Sequence, residues 1–489
     1  MNRRTFCRRV AGGVLGGLVV GCSRRGPEMV EVNDVHSRLT ATEVRRVLTP
    51  RSHDELVRVL RRALHHNAGL SVAGGRHSMG RQAFGTGTIH FDLTGLTEVG
   101  DLDGKAGLVR VAPGCMWPRL MEELDRRQQG EERPWSIRQK QTGADDLTLG
   151  GAMACNMHGR GLGSGPFVGD IEAFDLFTAE GEELECSRER NADWFRLVLG
   201  GYGLFGVVTG LTLRLRRRAR LRRRVELIEL EEVPLRVAQR EAEGAQYGDF
   251  QFSVASESEG FLRDGILSTY GPTDEEESVG SGYRLSRALW TELMVLAHTD
   301  PAEAFRRYVE AYRKTDGQIY ASDRQQLSTY LPDYHEVVMG ALGAEPRRSL
   351  LITEVYVPRE RLVGLMEKVR EVCRDRQVRL VYGVVRWIER DGETFLPWAR
   401  DRFACVVFNV SVEHSEAGQA RVQGDVRELV EAALAEGGSF YLTYGNAARG
   451  DQVMRAYPEF GAFLAEKEKR DRHLVWRSDW FTQYARKIG

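Results

Sequence analysis

The chain has 489 residues, which is more than one ordinary hydrophobic core supports, so two domains are expected. Its 69 lysines and arginines nearly balance 70 acidic residues and leave a formal net charge of −1 at pH 7. Nucleic-acid-binding proteins usually carry a clear basic excess, so this balance argues against a nucleic-acid partner.

The first residues have the pattern of an export signal. Arg3 and Arg4 precede a short apolar stretch that ends at Cys22. Paired arginines before such a stretch are typical of a twin-arginine signal, and about a dozen apolar residues are too few to span a bilayer as a helix. The Val-Val-Gly-Cys sequence at the end resembles a bacterial lipobox. Residues 1–21 are therefore predicted to be a signal peptide, Cys22 a lipidated membrane anchor and residues 22–38 a linker.

The predicted location is the cell envelope, with the protein facing the periplasm or the cell exterior. The alternative is a disordered basic leader in which Cys22 has no role. Five further cysteines follow without Cys-x-x-Cys spacing, which indicates neither a disulfide framework nor a zinc site. Most of them are expected to be small buried residues.

The first globular elements follow this leader. Ser52-His-Asp-Glu55 has the form of a capping box, and apolar residues at helical spacing continue until Gly69. Leu70-Ser-Val-Ala73 then predicts a short strand, and further strands are predicted near Ile89 and Leu108. The first domain is therefore expected to mix helices and strands.

A glycine-rich loop with a histidine lies directly behind the strand at Leu70, within Ser71–Gly80. Gly74 and Gly75 can adopt φ > 0, so consecutive backbone N–H groups are expected to form a concave nest for a pyrophosphate. The spacing matches neither the phosphate loop of nucleoside triphosphatases nor the glycine motif that opens a helix in nicotinamide-binding folds. The alternative is an ordinary glycine-rich turn.

A second glycine-dense run covers residues 141–163, with small residues wherever a backbone would approach a ligand. A strand with its turn follows at residues 170–181, and the Gly-Gly-Tyr-Gly-Leu-Phe-Gly-Val-Val segment ends at Val208. This order of motifs resembles the FAD-binding domain of the vanillyl-alcohol oxidase / p-cresol methylhydroxylase (PCMH-type) family over most of residues 39–216. Within this family, the residues of the motifs are most similar to those of decaprenylphosphoryl-ribose oxidases and of aldonolactone and alditol oxidases. The tail around Tyr457-Pro and Arg477-Ser-Asp-Trp-Phe also resembles the first of these.

The resemblance implies FAD as the cofactor. A histidine at the place of His77 is often bonded covalently to flavin in this family, so attachment through His77 is an expectation here. The cofactor-binding residues implied are Ala73, Gly74, Gly75, Arg76, His77, Ser78, Gln82, Thr148, Gly150, Gly151, Asn156, His158, Gly159, Val207, Val208 and Tyr441.

Longer elements follow the basic cluster Arg214–Arg224, which is predicted to be a solvated strand. Strands are predicted at 225–230, 350–357, 379–388 and 403–412, and helices near 232–244, 301–315 and 360–376. The expected fold is α+β: a two-part PCMH-type FAD-binding domain with an inserted substrate domain built on an antiparallel sheet backed by helices. The domains are predicted at 39–216 for FAD, 217–430 for substrate and 431–489 for a C-terminal segment that returns to the FAD domain.

Three residues are candidates for catalysis. Arg386 lies where the related sugar-alcohol and aldonolactone oxidases show Glu-x-Arg, but Val384 replaces the glutamate. A lysine of the lipid-linked ribose oxidases is replaced by Tyr444, whose hydroxyl is a base only if Arg386 or Arg449 lowers its pKa. His158 in the second glycine run is the third, because histidine titrates near neutrality. The alternative roles are an exposed strand arginine, a core aromatic and a ligand of the flavin ribityl or phosphate region.

The predicted function is an exported FAD-dependent oxidoreductase that removes hydride from an alcohol carbon of a sugar, polyol, aldonolactone or lipid-linked sugar. Two alternatives remain open: a flavin-dependent carbon–carbon double-bond reductase, and an envelope lipoprotein that binds flavin or ligand without turnover. No metal site is expected, since His65 and His66 are adjacent on a helix and cannot converge on one ion. The sequence does not identify the electron acceptor.

Overall fold

The computed structural model describes residues 29–66, 68–275, 282–328, 331, 334–343 and 347–488. The predicted signal peptide and Cys22 lie outside the described residues, and the predicted linker is described only from residue 29 onward.

The N-terminal part contains a small parallel sheet. Its elements are β1 (Val30–Val32), β2 (Thr42–Val44), β3 (Arg46–Leu48), α1 (His53–His65), β4 (Leu70–Ala73) and β5 (Ile89–Asp92). β5 lies between β3 and β4 and pairs with both in parallel. α1 begins as predicted, because the Ser52 side chain accepts a hydrogen bond from the Glu55 backbone N–H, but it ends at His65 rather than at Gly69.

A five-stranded antiparallel sheet follows, with strand order β10-β9-β11-β7-β6. The elements of this part are β6 (Val99–Asp103), β7 (Leu108–Val111), α2 (Trp117–Arg127), β8 (Trp135–Ser136), α3 (Leu149–Ala154), β9 (Ile171–Phe177), β10 (Glu183–Ser187), α4 (Ala192–Val198), β11 (Val207–Arg214) and β12 (Arg216–Arg217). The second glycine run supplies α3 and the loops on either side of it.

The largest sheet has eight antiparallel strands in the order β16-β13-β15-β14-β18-β19-β17-β20. Its elements are β13 (Arg220–Glu229), α5 (Val233–Ala242), β14 (Tyr247–Phe252), β15 (Asp264–Pro272), α6 (Arg287–Thr299), α7 (Pro301–Arg313), β16 (Ile319–Ala321), α8 (Tyr334–Leu342), β17 (Arg348–Pro358), α9 (Leu362–Asp375), β18 (Leu380–Ile388), β19 (Phe403–Glu413), α10 (Glu416–Ala435) and β20 (Ser439–Phe440). The prediction of a mixed fold with an antiparallel sheet is therefore confirmed.

The register of this sheet sets the position of its polar side chains. Glu354 on β17 lies opposite Val407 on β19, which in turn lies opposite Val384 on β18. The neighbouring row places Arg386 opposite Cys405. Residues directly opposite one another in an antiparallel pair point to the same face, so these side chains share one face of the sheet.

The C-terminal helices are α11 (Gly450–Ala456), α12 (Phe460–Arg470) and α13 (Asp479–Ile488). The segment between α12 and α13 runs beside β4, where the Leu70 N–H donates to the Val475 carbonyl at 2.7 Å and the Arg477 N–H donates to the Leu70 carbonyl at 2.8 Å. Lys467 is fully buried and donates to the Leu204 carbonyl at 2.6 Å. These contacts hold the strand that leads into the first glycine loop.

The basic cluster is not uniformly solvated. Arg222 and Arg224 form ion pairs with Glu275 and Glu243, but Arg223 is only 6 % exposed. The prediction of a solvated strand is therefore wrong at Arg223, because alternate residues of β13 face opposite sides of the sheet.

The five cysteines among the described residues are all free, and all but Cys155 are buried, as expected. No helix in the described ranges is long and apolar enough to cross a membrane.

Candidate functional site

A cavity of about 900 Å³ lies between the two glycine-rich loops and one face of the eight-stranded sheet. The loop after β4 and the segment around α3 line one side, and alternate residues of β14, β17, β18 and β19 line the other. The segment after β20 contributes Tyr441, Thr443 and Tyr444. The three catalytic candidates, Arg386, Tyr444 and His158, therefore all line the same space.

Nearly all of the predicted cofactor-binding residues line this cavity. They are Ala73, Gly74, Gly75, Arg76, His77, Ser78, Gln82, Thr148, Gly150, Gly151, His158, Val207, Val208 and Tyr441. The structure does not bring Asn156 or Gly159 to the cavity wall. The Asn156 amide is occupied behind the loop, where it donates to Asp391 at 2.9 Å and accepts from the Val168 N–H at 2.9 Å.

The first loop needs its glycines for a reason different from the predicted one. Neither Gly74 nor Gly75 has a positive φ, whereas Arg76 adopts φ 58°. A Cβ atom added to Gly74 would lie 1.9 Å from Oγ1 of Thr148, the residue that caps α3. The loop therefore packs directly against the start of α3, and this close approach excludes a side chain at Gly74.

His77 is buried beside a second histidine. Its Nδ1 lies 2.8 Å from Nε2 of His36, and its Nε2 lies 3.4 Å from Oδ1 of Asp146. Burial lowers the pKa of His77 despite the opposing charge of Asp146. The ring is therefore neutral at pH 7 and keeps a lone pair on one nitrogen.

Glu354 is a candidate functional residue that the sequence patterns did not indicate. Its Oε2 atom lies 3.0 Å from Nε2 of His158 and accepts a hydrogen bond from the Tyr356 hydroxyl at 3.0 Å. The Cys405 thiol is 3.6 Å from the same oxygen. Among the described residues no side chain or backbone group donates to Oε1 of Glu354, and Glu354 lines the cavity. The free oxygen can therefore accept a proton from a ligand.

Two opposing effects set the charge of Glu354. Burial alone would raise the pKa of this carboxyl, but the His158 contact and the Arg386 charge hold the pKa of Glu354 below its usual range. The Nδ1 atom of His158 lies 3.1 Å from the Gly159 carbonyl, which can only accept, so Nδ1 carries a proton. The lowered pKa keeps the Glu354 carboxyl ionised at pH 7, so its oxygens act as hydrogen-bond acceptors.

The potential ligand atoms of His158, Glu354 and Cys405 all lie within 4.8 Å of one another, which is close enough for the three side chains to bind one metal ion. The His158–Glu354 contact is a direct hydrogen bond at 3.0 Å. Oε2 of Glu354 also accepts from the Tyr356 hydroxyl, and Nδ1 of His158 contacts the Gly159 carbonyl. The geometry is that of a hydrogen-bonded carboxylate.

Glu354 brings a carboxylate to the part of the sheet where Val384 lacks one. Val384 lies in the same row of the sheet as Glu354, two strands away, so a carboxylate reaches the cavity from β17 instead of from β18. The family's glutamate is absent from β18, as the sequence indicates, while a carboxylate of β17 lines the same cavity. A sequence signal was available, because Glu354 is the lone charged residue in the run Leu350–Val357.

Arg386 projects from β18 toward the second glycine run. One of its Nη atoms donates to the Thr142 hydroxyl at 2.6 Å, while its Nε has no partner among the described residues. The guanidinium therefore links the sheet face to the loop and retains a donor for a ligand.

Tyr444 does not have the environment that was predicted for a base. Burial, reinforced by the negative charge of Glu354, raises the pKa of Tyr444 well above its usual value, and the opposing effect of Arg386 is smaller. Arg449 cannot assist, because it lies on the surface in ion pairs with Glu431 and Asp451. The prediction of a lowered Tyr444 pKa is therefore wrong.

Comparison with known proteins places these loops in a family. The family model for an FAD binding domain matches residues 44–187, which include both glycine runs. Cytokinin dehydrogenase 2 of Arabidopsis thaliana is 31 % identical over 166 residues, covering 33 % of this chain and 32 % of that protein. L-gulonolactone oxidase of Mus musculus is 30 % identical over 166 residues, covering 34 % of this chain and 36 % of that protein. L-gulono-1,4-lactone dehydrogenase of Mycobacterium tuberculosis is 30 % identical over 163 residues, covering 33 % and 36 %. The chain thus matches about a third of the length of each relative.

The cavity fits the cofactor that this match implies. The matched loops are those that line it, and Gly74, Gly75 and Gly150 pack without room for a Cβ. The cavity also retains unpartnered polar atoms at Arg386 and Thr443. Residues 73–78 and 148–151 are placed to hold the dinucleotide. FAD is therefore the cofactor, and the chain contains a PCMH-type FAD-binding domain similar to that of FAD-linked oxidoreductases.

Proposed function

We propose that this protein is an exported FAD-dependent oxidoreductase that oxidises an alcohol carbon of a sugar, polyol, aldonolactone or lipid-linked sugar. The observation that carries the proposal is the Oε1 atom of Glu354, an unpartnered carboxylate oxygen in the cavity that the flavin loops also line. Two of the relatives above are named for the oxidation of a sugar lactone, which supports the substrate class.

Bound FAD supplies the acceptor for the hydride that leaves the alcohol carbon. Glu354 takes the hydroxyl proton on Oε1, while His158 and Tyr356 hold Oε2 and fix the plane of the carboxylate. Arg386 stabilises the negative charge that develops on the substrate oxygen as the proton leaves. Tyr441 donates to the Cys155 carbonyl at 2.8 Å and closes the cavity between α3 and the segment after β20.

Anaerobic bleaching of the flavin by a panel of alcohols tests this proposal. Bleaching by a sugar, polyol, aldonolactone or lipid-linked sugar is the expected result. Bleaching only by a nicotinamide donor would contradict it in favour of a double-bond reductase. Absence of bleaching by any donor would contradict it in favour of a binding protein without turnover.

We expect the flavin to be attached covalently through His77. The ring lines the cavity beside the first glycine loop, and burial lowers the pKa of His77 so that the ring is neutral at pH 7. After acid precipitation of the purified yellow protein, the flavin should stay in the pellet for the wild type and move to the supernatant for His77→Ala. Wild-type flavin in the supernatant would refute the bond, though not the binding of FAD.

We expect the leader to determine location. Replacing Arg3 and Arg4 together by lysine should leave the protein in the cytoplasm, because the paired arginines are the export signal. Cys22→Ala should release the exported protein from the membrane fraction, because the lipid anchor is lost. Cell fractionation and immunoblotting measure both effects, with Cys7→Ala as the matched control that should change neither. Unchanged fractionation of both variants would refute the proposed address.

A further inference from the structure

A second polar cluster lines the cavity on the side of β13, β14 and β15. It consists of Arg160, Arg223, Asp249, Gln251 and Gln325. β14, which carries Asp249, is three strands from β17, which carries Glu354, or about 14 Å of sheet at ~4.8 Å per strand. The cluster therefore lies apart from the carboxylate proposed to take the proton, and the mechanism above makes no use of it.

Arg223 is the unusual member of this cluster. One Nη atom donates to the Ser268 hydroxyl at 2.8 Å, and the guanidinium lies over the rings of Tyr312 and Tyr270 at 4.6 and 5.4 Å. Its Nε is buried without a partner, and no carboxylate of the described residues lies within ion-pair distance. A buried guanidinium without a carboxylate costs stability unless a ligand supplies the missing charge.

Arg160 approaches the same tyrosine ring. Its guanidinium carbon is 4.9 Å from the centroid of the Tyr270 ring, and its Nη1 donates to Oδ2 of Asp249 at 3.1 Å. Its Nε has no partner. Two arginines thus share Asp249 as the nearest carboxylate, and the pair keeps a surplus positive charge.

The whole cavity wall also has more arginines than carboxylates. The arginines lining it are Arg76, Arg160, Arg223, Arg284, Arg324 and Arg386. The only carboxylates among the described lining residues are Asp249 and Glu354. Arg76 lies in the first glycine loop, among the residues placed to hold the dinucleotide, so the surplus at Arg160 and Arg223 remains for another anion.

The cluster also offers acceptors. Oδ1 of Asp249 and the amide oxygens of Gln251 and Gln325 are buried without donors among the described residues. Unpartnered buried acceptors require hydroxyl or amine hydrogens, and unpartnered guanidinium donors require an oxyanion. A ligand that satisfies both sets carries several hydroxyls and a negatively charged oxygen group.

We infer that the cluster around Arg223 and Arg160 is a substrate subsite for the anionic end of a polyhydroxylated compound, a sugar acid or a sugar phosphate. The inference rests on the proposed function, since the other end of the same ligand presents its alcohol carbon near Glu354. The planar fork of an arginine matches either a carboxylate or a phosphate.

Binding to the FAD-loaded full-length protein tests the subsite without requiring turnover. The probes are D-gluconate, D-glucitol 6-phosphate and neutral D-glucitol, titrated by calorimetry and by perturbation of the flavin absorption spectrum. Wild-type protein should bind one of the two anionic probes about 10- to 100-fold more tightly than D-glucitol, and the tighter of them identifies the oxyanion. Equal affinity for all three probes, or no binding of any of them, would overturn the inference.

Arg223→Gln should abolish the preference for the anionic probe. The matched control is Arg224→Gln on the same strand, which removes an exposed ion pair with Glu243 and should keep the preference. An unchanged preference in Arg223→Gln would show that Arg223 is a structural residue and would overturn the inference.

The two proposals fail separately. If the wild-type protein prefers an anionic probe but no alcohol bleaches the flavin, alcohol oxidation is contradicted and the anion subsite is not. Bleaching by neutral polyols alone, with no anion preference, would sink the subsite and leave the oxidation proposal intact.

Discussion

Glu354→Gln should slow flavin reduction by the alcohol substrate by about 100- to 10,000-fold, the range of general-base assistance. The amide keeps the size of the side chain but cannot take the hydroxyl proton. FAD content should not change, because the Glu354 side chain makes no hydrogen bond with residues 73–78 or 148–151, which are placed to hold the dinucleotide. Anaerobic stopped-flow measurement of the flavin absorbance gives the rate.

Tyr444→Phe is the matched control for this change. The Tyr444 hydroxyl lines the same cavity but makes no hydrogen bond with the described residues, and its raised pKa keeps it protonated. The control should reduce flavin within about tenfold of the wild-type rate, below the range for loss of a general base. A severe loss in Tyr444→Phe with a near-normal rate in Glu354→Gln would reverse the assignment.

The pH dependence of wild-type flavin reduction follows from the pKa of Glu354. The base acts only when ionised, and its pKa lies below the usual glutamate value. The rate should therefore be flat above about pH 5 and fall as the pH drops through the lowered pKa. A rate that instead rises between pH 8 and 10 would indicate a phenol as the base.

Arg386→Lys should have the second largest effect, a loss of about 100- to 1,000-fold in the rate of flavin reduction, as for removal of one donor to a developing oxyanion. A lysine keeps the positive charge but loses the planar fork that reaches both the Thr142 hydroxyl and the ligand. The readout is the limiting rate at saturating substrate, together with the apparent dissociation constant.

Arg402→Lys is a suitable control, since Arg402 is exposed and pairs with Glu389 away from the cavity. It should reduce flavin at the wild-type rate. If Arg386→Lys changed only the dissociation constant and not the limiting rate, Arg386 would bind substrate without stabilising the developing charge.

Local sequence patterns identified the flavin part of the molecule well. Leu70–Ala73 was predicted residue for residue as a strand, because its apolar run is bounded by glycine on both sides. The glycine loops were found for their composition, although the physical reason at Gly74 is packing against Thr148 and not a positive φ. A close approach between two loops distant in the chain has no local sequence signal.

The substrate side was harder to predict for the same reason. β17, β18 and β19 were recognised as strands, but β14, β15, α6 and α10 were not. The register that carries Glu354 into the row of Val384 depends on pairing between strands far apart in the chain. The family resemblance pointed to position 384 on β18, where this chain has valine. The carboxylate that lines the cavity is Glu354 on β17.

The burial of individual charged residues was equally hard to predict from the sequence. Arg222, Arg223 and Arg224 are identical in type and adjacent in sequence, yet only Arg223 points into the cavity. Strand alternation predicts that one of the two sets is buried, but which set it is depends on the tertiary packing.

Hydride removal assisted by Glu354 is tested by anaerobic flavin reduction with the best alcohol of the panel and with the same alcohol deuterated at the carbinol carbon, in wild type and in Glu354→Gln. The deuterated alcohol should reduce wild-type flavin more slowly, and Glu354→Gln should lower the rate with either form. Equal rates for the two alcohols with an unimpaired Glu354→Gln variant would contradict hydride removal assisted by this carboxylate.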